Sequence, residues 1–153
     1  MKVYLVQHAE AKAKEMDPNR PLTDRGRQDV QHVAALAVRL GLKVDQIRHS
    51  GKTRAEQTAT ILGEALSPPD GVAEVSGLAP LDEVEPVADE LTKASQPVML
   101  VGHLPFMERL AGQMLTGDPK SSVVQFHNAG IVCLTREESW QVVWIITPEI
   151  AAA

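Results

Sequence analysis

The chain has 153 residues, a size that fits one domain with a single hydrophobic core. Apolar residues make up 44% and charged residues 23%, values that exclude a disordered or fibrous protein. The formal net charge of -5 argues against a general nucleic-acid binder, because that role needs a basic surface. A local cationic pocket for a small anion is still compatible with this net charge.

The cysteine count and the length of the apolar runs indicate the cellular location of the protein. Cys133 is the single cysteine, so an intrachain disulfide is excluded, and its apolar neighbours favour a small buried side chain over a metal ligand. The apolar run near the N-terminus is too short for a secretion signal, and no run reaches the ~20 residues that a membrane helix needs. We therefore expect a cytoplasmic protein that binds neither nucleic acid nor a membrane.

The first half of the chain is predicted to contain two strand–loop–helix units. A β-rich run from Lys2 to Gln7 indicates a buried strand, and the polar residues from His8 to Pro21 indicate a loop. Apolar residues at helical spacing predict a helix from Asp24 to Leu40. The second unit comprises a short strand at Gln46–His49 and a helix at Thr53–Leu66.

After this point the pattern continues with a loop at SPPDG (residues 67–71) and a short β-rich segment at AEVS (residues 73–76). A helical stripe runs from Glu83 to Ala94, and PVMLVG (residues 97–102) indicates another buried strand. A further helix is predicted from Pro105, because proline suits the first helical position.

The last part of the chain is predicted to form three strands and a loose tail. The strands are SVVQF (residues 122–126), GIVCL (residues 130–134) and QVVWII (residues 141–146), and the tail is EIAAA (residues 149–153). Alternating strands and helices predict a three-layer α/β/α sandwich with a largely parallel central sheet, to which the closing strands add an antiparallel edge. We assign residues 1–150 to one domain.

Ligands of open α/β sheets bind beyond the carboxyl ends of the strands, so residues that directly follow the parallel strands are candidates. His8 follows the first strand, SGKTR (residues 50–54) follows the second, and His103 follows PVMLVG. Two histidines and Arg54 predict an anion site, since imidazole can transfer a phosphoryl group and guanidinium offers a planar pair of donors. Taken singly, each histidine also fits a hydrogen-bonded loop residue, and Arg54 fits an exposed charge.

Four motifs in fixed order carry a family resemblance: VYLVQHAEA, RPLTDRGR, SGKTRAEQTA and VMLVGHLP. Between Met1 and Pro105 this order is similar to that of the histidine phosphatase superfamily, and specifically of its short SixA-type phosphohistidine phosphatases. The resemblance implies a phosphoglycerate mutase-like fold in a minimal single domain without a cap insertion.

The resemblance also implies a role for each candidate residue. His8 would be the nucleophile that becomes phosphorylated, Arg54 would bind the phosphoryl oxygens, and His103 would donate to them in the transition state. Arg20 would close over the substrate, with a surface salt bridge as its alternative, and Ser50 would add a hydroxyl bond unless it only forms the turn. Protein cations suffice for this chemistry, so no metal and no cofactor is expected.

The chain departs from the family signature on both sides of His8. Gln7 stands where the family has arginine, and its amide donates hydrogen bonds without charge, which predicts a loss of about ten- to a hundred-fold in rate. Ala9 replaces a glycine, so its Cβ would require the loop to adjust. Lys52, Lys12 or Lys14 would supply the missing charge, unless these lysines are simply solvated. The full set of predicted phosphate ligands outside the three catalytic residues is Gln7, Arg20 and Ser50.

The general acid is not identified by any motif. The candidate carboxylates are Glu83 and Glu85 in LDEVEP and Glu10 and Asp17 near the first strand. Imidazole is a better leaving group than an alkoxide, so a weak or absent acid fits a phosphoramidate substrate. His49 occupies a strand position that is usually apolar, and it fits either a partner of the site or a satisfied semi-buried histidine.

These features lead to three hypotheses. The first is a phosphatase that acts on phosphohistidine through a covalent intermediate on His8, with a phosphorylated protein or a small phosphorylated molecule as partner. The second is a catalytically impaired module that binds phosphate or a phosphopeptide, because Gln7 has replaced the arginine. The third keeps the hydrolase and changes the substrate to a small phosphomonoester.

Overall fold

A computed structural model describes residues 1–153. Six strands and five helices alternate through most of the chain. Their order is β1 (Lys2–Gln7), α1 (Asp24–Arg39), β2 (Gln46–His49), α2 (Thr53–Leu66), β3 (Val72–Glu74), α3 (Glu85–Lys93), β4 (Val98–Gly102), α4 (Phe106–Thr116), β5 (Ile131–Arg136), β6 (Trp140–Ile146) and α5 (Pro148–Ala151). No helix combines the length and the apolar character that crossing a membrane requires.

The strands form one sheet in the order β3-β2-β4-β1-β5-β6. The first four strands of this order are mutually parallel, whereas β5 and β6 are antiparallel to their neighbours. The prediction of a largely parallel sheet with an antiparallel edge is confirmed. Because β4 lies between β1 and β2, the carboxyl ends of these three strands are adjacent.

Helices cover both faces of the sheet, which gives the three layers. Along β1, Val3 and Leu5 point into the core beneath α3 and α4, while Tyr4 and Val6 point into the core beneath α1 and α2. This alternation follows from the two-residue period of a strand. At the start of α1, Thr23 accepts a hydrogen bond from the Gly26 N–H, a standard N-cap that fixes where the helix begins.

Two expectations for the end of the chain are wrong. SVVQF (residues 122–126) is not a strand, because it runs outside the sheet without pairing. The tail is not loose throughout, since Pro148–Ala151 forms a short helix in which Thr147 accepts a hydrogen bond from the Ile150 N–H and Ala151 is buried. High β-propensity is therefore insufficient where no neighbouring strand offers hydrogen-bonding groups.

Candidate active site

The pairing of β1 with β4 brings the two predicted histidines together. Gln7 pairs with Gly102, so the next residue on each strand, His8 and His103, leaves the sheet at the same level. The His8 backbone N–H donates to the Gly102 carbonyl at 2.9 Å, and the two imidazole centroids lie 5.1 Å apart. The expected meeting of both histidines at the carboxyl end of the sheet is confirmed.

The His8 ring is held in one tautomer by its own loop. Its Nδ1 lies 2.8 Å from the Ala9 carbonyl oxygen, and since a carbonyl only accepts, Nδ1 carries the proton. In the neutral ring Nε2 then has a free lone pair. Burial, together with the charges of Arg54 and Arg20, lowers the pKa of His8 to about 4. His8 is therefore a neutral imidazole with Nε2 available as a nucleophile at neutral pH.

His103 is almost completely buried, with 1% of its surface exposed. The Ser50 hydroxyl lies 2.6 Å from its Nε2, while its buried Nδ1 has no hydrogen-bond partner. Burial is the main cause that lowers the pKa of His103 to about 3; the neighbouring His8 ring adds to the shift, followed by the charges of Arg54, Lys52 and Arg20. A buried polar atom without a partner is unfavourable, so Nδ1 is a ready contact for a bound group.

Two arginines give the site its positive charge. Arg54 lies in the first turn of α2, and its buried Nε has no hydrogen-bond partner. Burial lowers the pKa of Arg54, and the positive charge of the nearby Arg20 lowers it further. The two guanidinium groups are therefore close enough to repel each other. Neither arginine forms an ion pair with a carboxylate, and Arg20 Nε instead donates to the Lys12 carbonyl at 3.1 Å. Two neighbouring arginines without carboxylate partners favour the binding of an anion.

Two residues that sequence reasoning missed hold the loop that follows β1 in place. Thr58 is fully buried, accepts from the Ala9 N–H at 3.0 Å and donates to the Arg54 carbonyl at 2.8 Å. Asn128 donates through its side chain to the His8 carbonyl at 2.9 Å. Thr58 follows Arg54 by four residues on the same helix face, a signal that was available in the sequence. Asn128 comes from a distant loop and had no such signal.

The two departures from the family signature have different consequences. Ala9 is fully buried in the core and has no left-handed backbone conformation, so its Cβ packs without the strain expected from a lost glycine. Gln7 ends β1 beside the site, and its Oε1 is buried without a hydrogen-bond partner. Of the two replacements, only Gln7 leaves the site short of a charge.

The three candidate lysines are not equivalent. Lys52 caps α2 directly after the Ser50 turn, and its backbone N–H donates to Ser50 Oγ at 3.3 Å. Its charge is among those that lower the pKa of His103. Lys12 contributes its backbone carbonyl to Arg20, and Lys14 is exposed. Lys52 is therefore the lysine best placed to add charge to the site.

His49 and the candidate carboxylates lie outside the reacting centre. His49 is buried and accepts from the Gly51 N–H at 3.1 Å, so it shapes the turn that carries Ser50. Glu10 accepts from the Thr23 hydroxyl and Asp17 accepts from the Asn19 N–H. Glu83 and Glu85 are exposed near the start of α3. None of the four carboxylates hydrogen-bonds to a site histidine.

A family model and a curated protein that resemble this chain both describe histidine phosphatases. The family described as histidine phosphatase superfamily (branch 1) matches residues 3–83. The phosphohistidine phosphatase SixA of Escherichia coli (strain K12) is 25% identical over 144 residues, which cover 91% of this chain and 88% of the relative.

Solved structures share the fold. A structure of the protein histidine phosphatase SixA complexed with tungstate has a TM-score of 0.85 at 23% identity and covers 97% of both chains. A structure described as a SixA phosphohistidine phosphatase from Agrobacterium tumefaciens has a TM-score of 0.79 at 24% identity, with 96% of this chain and 97% of that chain covered.

Proposed function

The chain belongs to the histidine phosphatase superfamily, and we propose that it is an active phosphatase that hydrolyses phosphohistidine through a covalent intermediate on His8. The observation that carries the proposal is the hydrogen bond from His8 Nδ1 to the Ala9 carbonyl, because it leaves Nε2 unprotonated. His103, Arg54 and Arg20 surround this nucleophile as the proposed phosphoryl ligands, with Ser50 and Gln7 beside them.

In the first half-reaction, Nε2 of His8 attacks the phosphorus atom and forms a nitrogen–phosphorus bond. The bond between phosphorus and the imidazole nitrogen of the substrate breaks, and its electron pair leaves with that nitrogen. When the other ring nitrogen of the substrate already carries a proton, the leaving imidazole is neutral. Arg54 and Arg20 stabilise the charge on the equatorial oxygens, together with the Nδ1–H of His103, which carries the ring proton because Nε2 accepts from the Ser50 hydroxyl.

In the second half-reaction, water attacks the phosphorylated His8. The oxygen–phosphorus bond forms, the water loses one proton to solvent and keeps the other on the released phosphate, and the electron pair of the nitrogen–phosphorus bond returns to Nε2. Throughout the cycle Nδ1 of His8 keeps its proton, because it donates that proton in a hydrogen bond to the Ala9 carbonyl oxygen, which lies 2.8 Å from Nδ1. The enzyme returns to the neutral tautomer that starts the next cycle.

A phosphoramidate substrate agrees better with this site than a phosphate ester. An alkoxide needs a proton as it leaves, whereas a protonated phosphohistidine does not. None of the four candidate carboxylates hydrogen-bonds to His8 or His103, so none is held beside them to protonate an ester leaving group.

The proposal is tested by comparing a phosphohistidine peptide with a matched phosphoserine peptide. We expect phosphate release from the first at a rate at least tenfold above the second, and transient labelling of His8 from a phosphohistidine donor. His8→Ala should remove both turnover and labelling, while His32→Ala, at an exposed position of α1, should change neither. Full turnover in His8→Ala, or a clear preference for phosphoserine, contradicts the proposal.

A second candidate function rests on Gln7. If the missing guanidinium makes turnover negligible, the same pocket is a module that binds a phosphorylated partner. Tungstate or vanadate would then bind, no phosphate would be released, and Gln7→Arg would create turnover. Measuring oxyanion binding and turnover on the same protein preparation separates the two functions.

A further inference from the structure

The segment SVVQF (residues 122–126) has the side-chain pattern of a strand but no partner strand. From residue 121 to residue 127 the backbone runs without helix, turn or bend. Val124 is buried and Phe126 packs against the core, whereas Val123, Gln125 and His127 are exposed. One side of the segment is therefore fixed to the protein while the other faces outward.

The backbone of this segment is available for pairing. No N–H or C=O group of residues 122–126 makes a hydrogen bond to another group of the protein. Unpaired backbone groups in a straight, β-prone segment form a template for an added strand. The edge of the sheet formed by β6 is less suited to this, because a bulge between Cys133 and Leu134 interrupts its register with β5.

The segment leads directly into the candidate active site. Asn128 donates to the His8 carbonyl at 2.9 Å, and the Ala129 N–H donates to the Gln7 carbonyl at 2.9 Å. A chain that paired with residues 122–126 would thus extend toward the nucleophile. The segment ends two residues before Asn128, so a chain paired with it would lie beside the loop that carries His8.

An open groove of about 460 Å³ lies between this segment and the residue that follows His103. Its walls are residues 122–126, Leu104 and Glu108. Leu104 is 38% exposed and Val123 is 53% exposed, although both are large apolar side chains. Exposed apolar side chains beside an active site indicate a place for an apolar side chain of a partner.

We propose that residues 122–126 bind an extended stretch of the phosphorylated protein substrate by strand addition, with an apolar side chain near the phosphohistidine in the Leu104–Val123 groove. Main-chain hydrogen bonds would supply affinity and the groove would supply selectivity. This inference rests on the proposed phosphohistidine phosphatase function and specifies how a protein substrate is recognised. A small phosphoramidate would use the pocket without the segment.

The first test changes the substrate and leaves the protein intact. A phosphohistidine peptide with apolar flanking residues is compared with the same peptide N-methylated at the flanking amides, and with phosphoramidate as the small substrate. Loss of about two main-chain hydrogen bonds should lower kcat/KM for the methylated peptide about tenfold. Equal kcat/KM for both peptides overturns the strand addition. Absence of phosphoramidate turnover would instead overturn the proposed function.

The second test changes the segment. Gln125→Pro removes one backbone N–H at an exposed position, and Gln125→Ala is the matched control that keeps it. We expect Gln125→Pro, which removes one hydrogen bond, to lower kcat/KM for the peptide about threefold and to leave phosphoramidate turnover unchanged, while Gln125→Ala resembles the unmodified protein. An equal loss on both substrates would mean that the segment acts through the pocket, which overturns the proposal. Self-association that Gln125→Pro abolishes would assign the segment to a second copy and also overturns it.

Discussion

The two ends of the parallel strands carry opposite chemistry. At the carboxyl end, His8, His103 and Arg54 are close together, and polar atoms of the last two are buried without partners. At the amino end, a larger cavity of about 870 Å³ is lined mainly by apolar side chains, including Tyr4 and Trp144, whose ring centroids lie 5.9 Å apart.

This difference shows that the size of a concavity is a poor guide to chemistry in this protein. The amino end offers volume, yet apolar walls provide nothing that polarises a reacting bond. The groove described at the carboxyl end is smaller, about 460 Å³, but this end concentrates positive charge and a free imidazole nitrogen. Substitutions at the carboxyl end are therefore expected to change the rate of phosphate release, whereas substitutions at the amino end should leave it unchanged.

The largest expected effect is that of His103→Ala. Removing a donor to the transition-state oxygens should lower kcat about 100- to 1,000-fold on phosphoramidate. Tyr4→Phe at the amino end is the control and should retain full kcat, because Tyr4 is remote from the nucleophile. Steady-state phosphate release measures both, and an equal loss in the two variants would remove the functional contrast between the ends.

A smaller effect is expected from Thr58→Val, which is nearly isosteric. The substitution leaves the Ala9 N–H without its acceptor, so the free energy of unfolding should fall by about 1–3 kcal/mol. The looser His8 loop should also lower kcat. Urea unfolding checks the stability, with Thr60→Val on the exposed face of α2 as control. A stability unchanged from that of the unmodified protein would show that the Thr58 bridge is unimportant.

The charge deficit at Gln7 predicts a moderate change. Gln7→Arg should raise kcat/KM about tenfold, because a guanidinium adds charge-assisted hydrogen bonds to the phosphoryl group. Lys52→Gln should lower kcat/KM a few-fold, and by less when Gln7→Arg is also present, since both side chains act on the same charge. A double-mutant cycle measures this coupling. Strictly additive effects would mean that Lys52 does not compensate for Gln7.

The smallest effect is expected from mild acidification. Because the pKa of His8 is lowered to about 4, its imidazole should stay neutral and its NMR signals nearly constant between about pH 8 and pH 5.5. His8→Asn assigns the signals. In the unfolded chain the same ring binds its proton near the ordinary value of about 6.5, so the free energy of unfolding should decrease as the pH falls from there toward 4. A midpoint near 6.5 in the folded protein would contradict a half-buried His8 ring that stays neutral at neutral pH.

Much of the fold could be predicted because its signals are local. The runs at β1 and β4 are apolar without interruption, which indicates strands buried on both faces, and Thr23 marks the start of α1. The segment SVVQF (residues 122–126) carries an equally strong local signal and is not in the sheet. Strand formation requires a partner, and sequence propensity contains no information about which partner is within reach.

Some features of the candidate site could likewise be predicted from the sequence, whereas others depend on the tertiary structure. The sequence by itself determined that His8, Arg54 and His103 stand at the ends of predicted strands and at a helix start, because strand and helix boundaries are local properties. Only the tertiary structure decided that Ala9 is harmless, that His8 is held with Nε2 free, and that no carboxylate hydrogen-bonds to the site histidines. These features depend on contacts between residues far apart in the chain, such as the bond from Asn128 to the loop after VYLVQ, and on burial that no single segment creates.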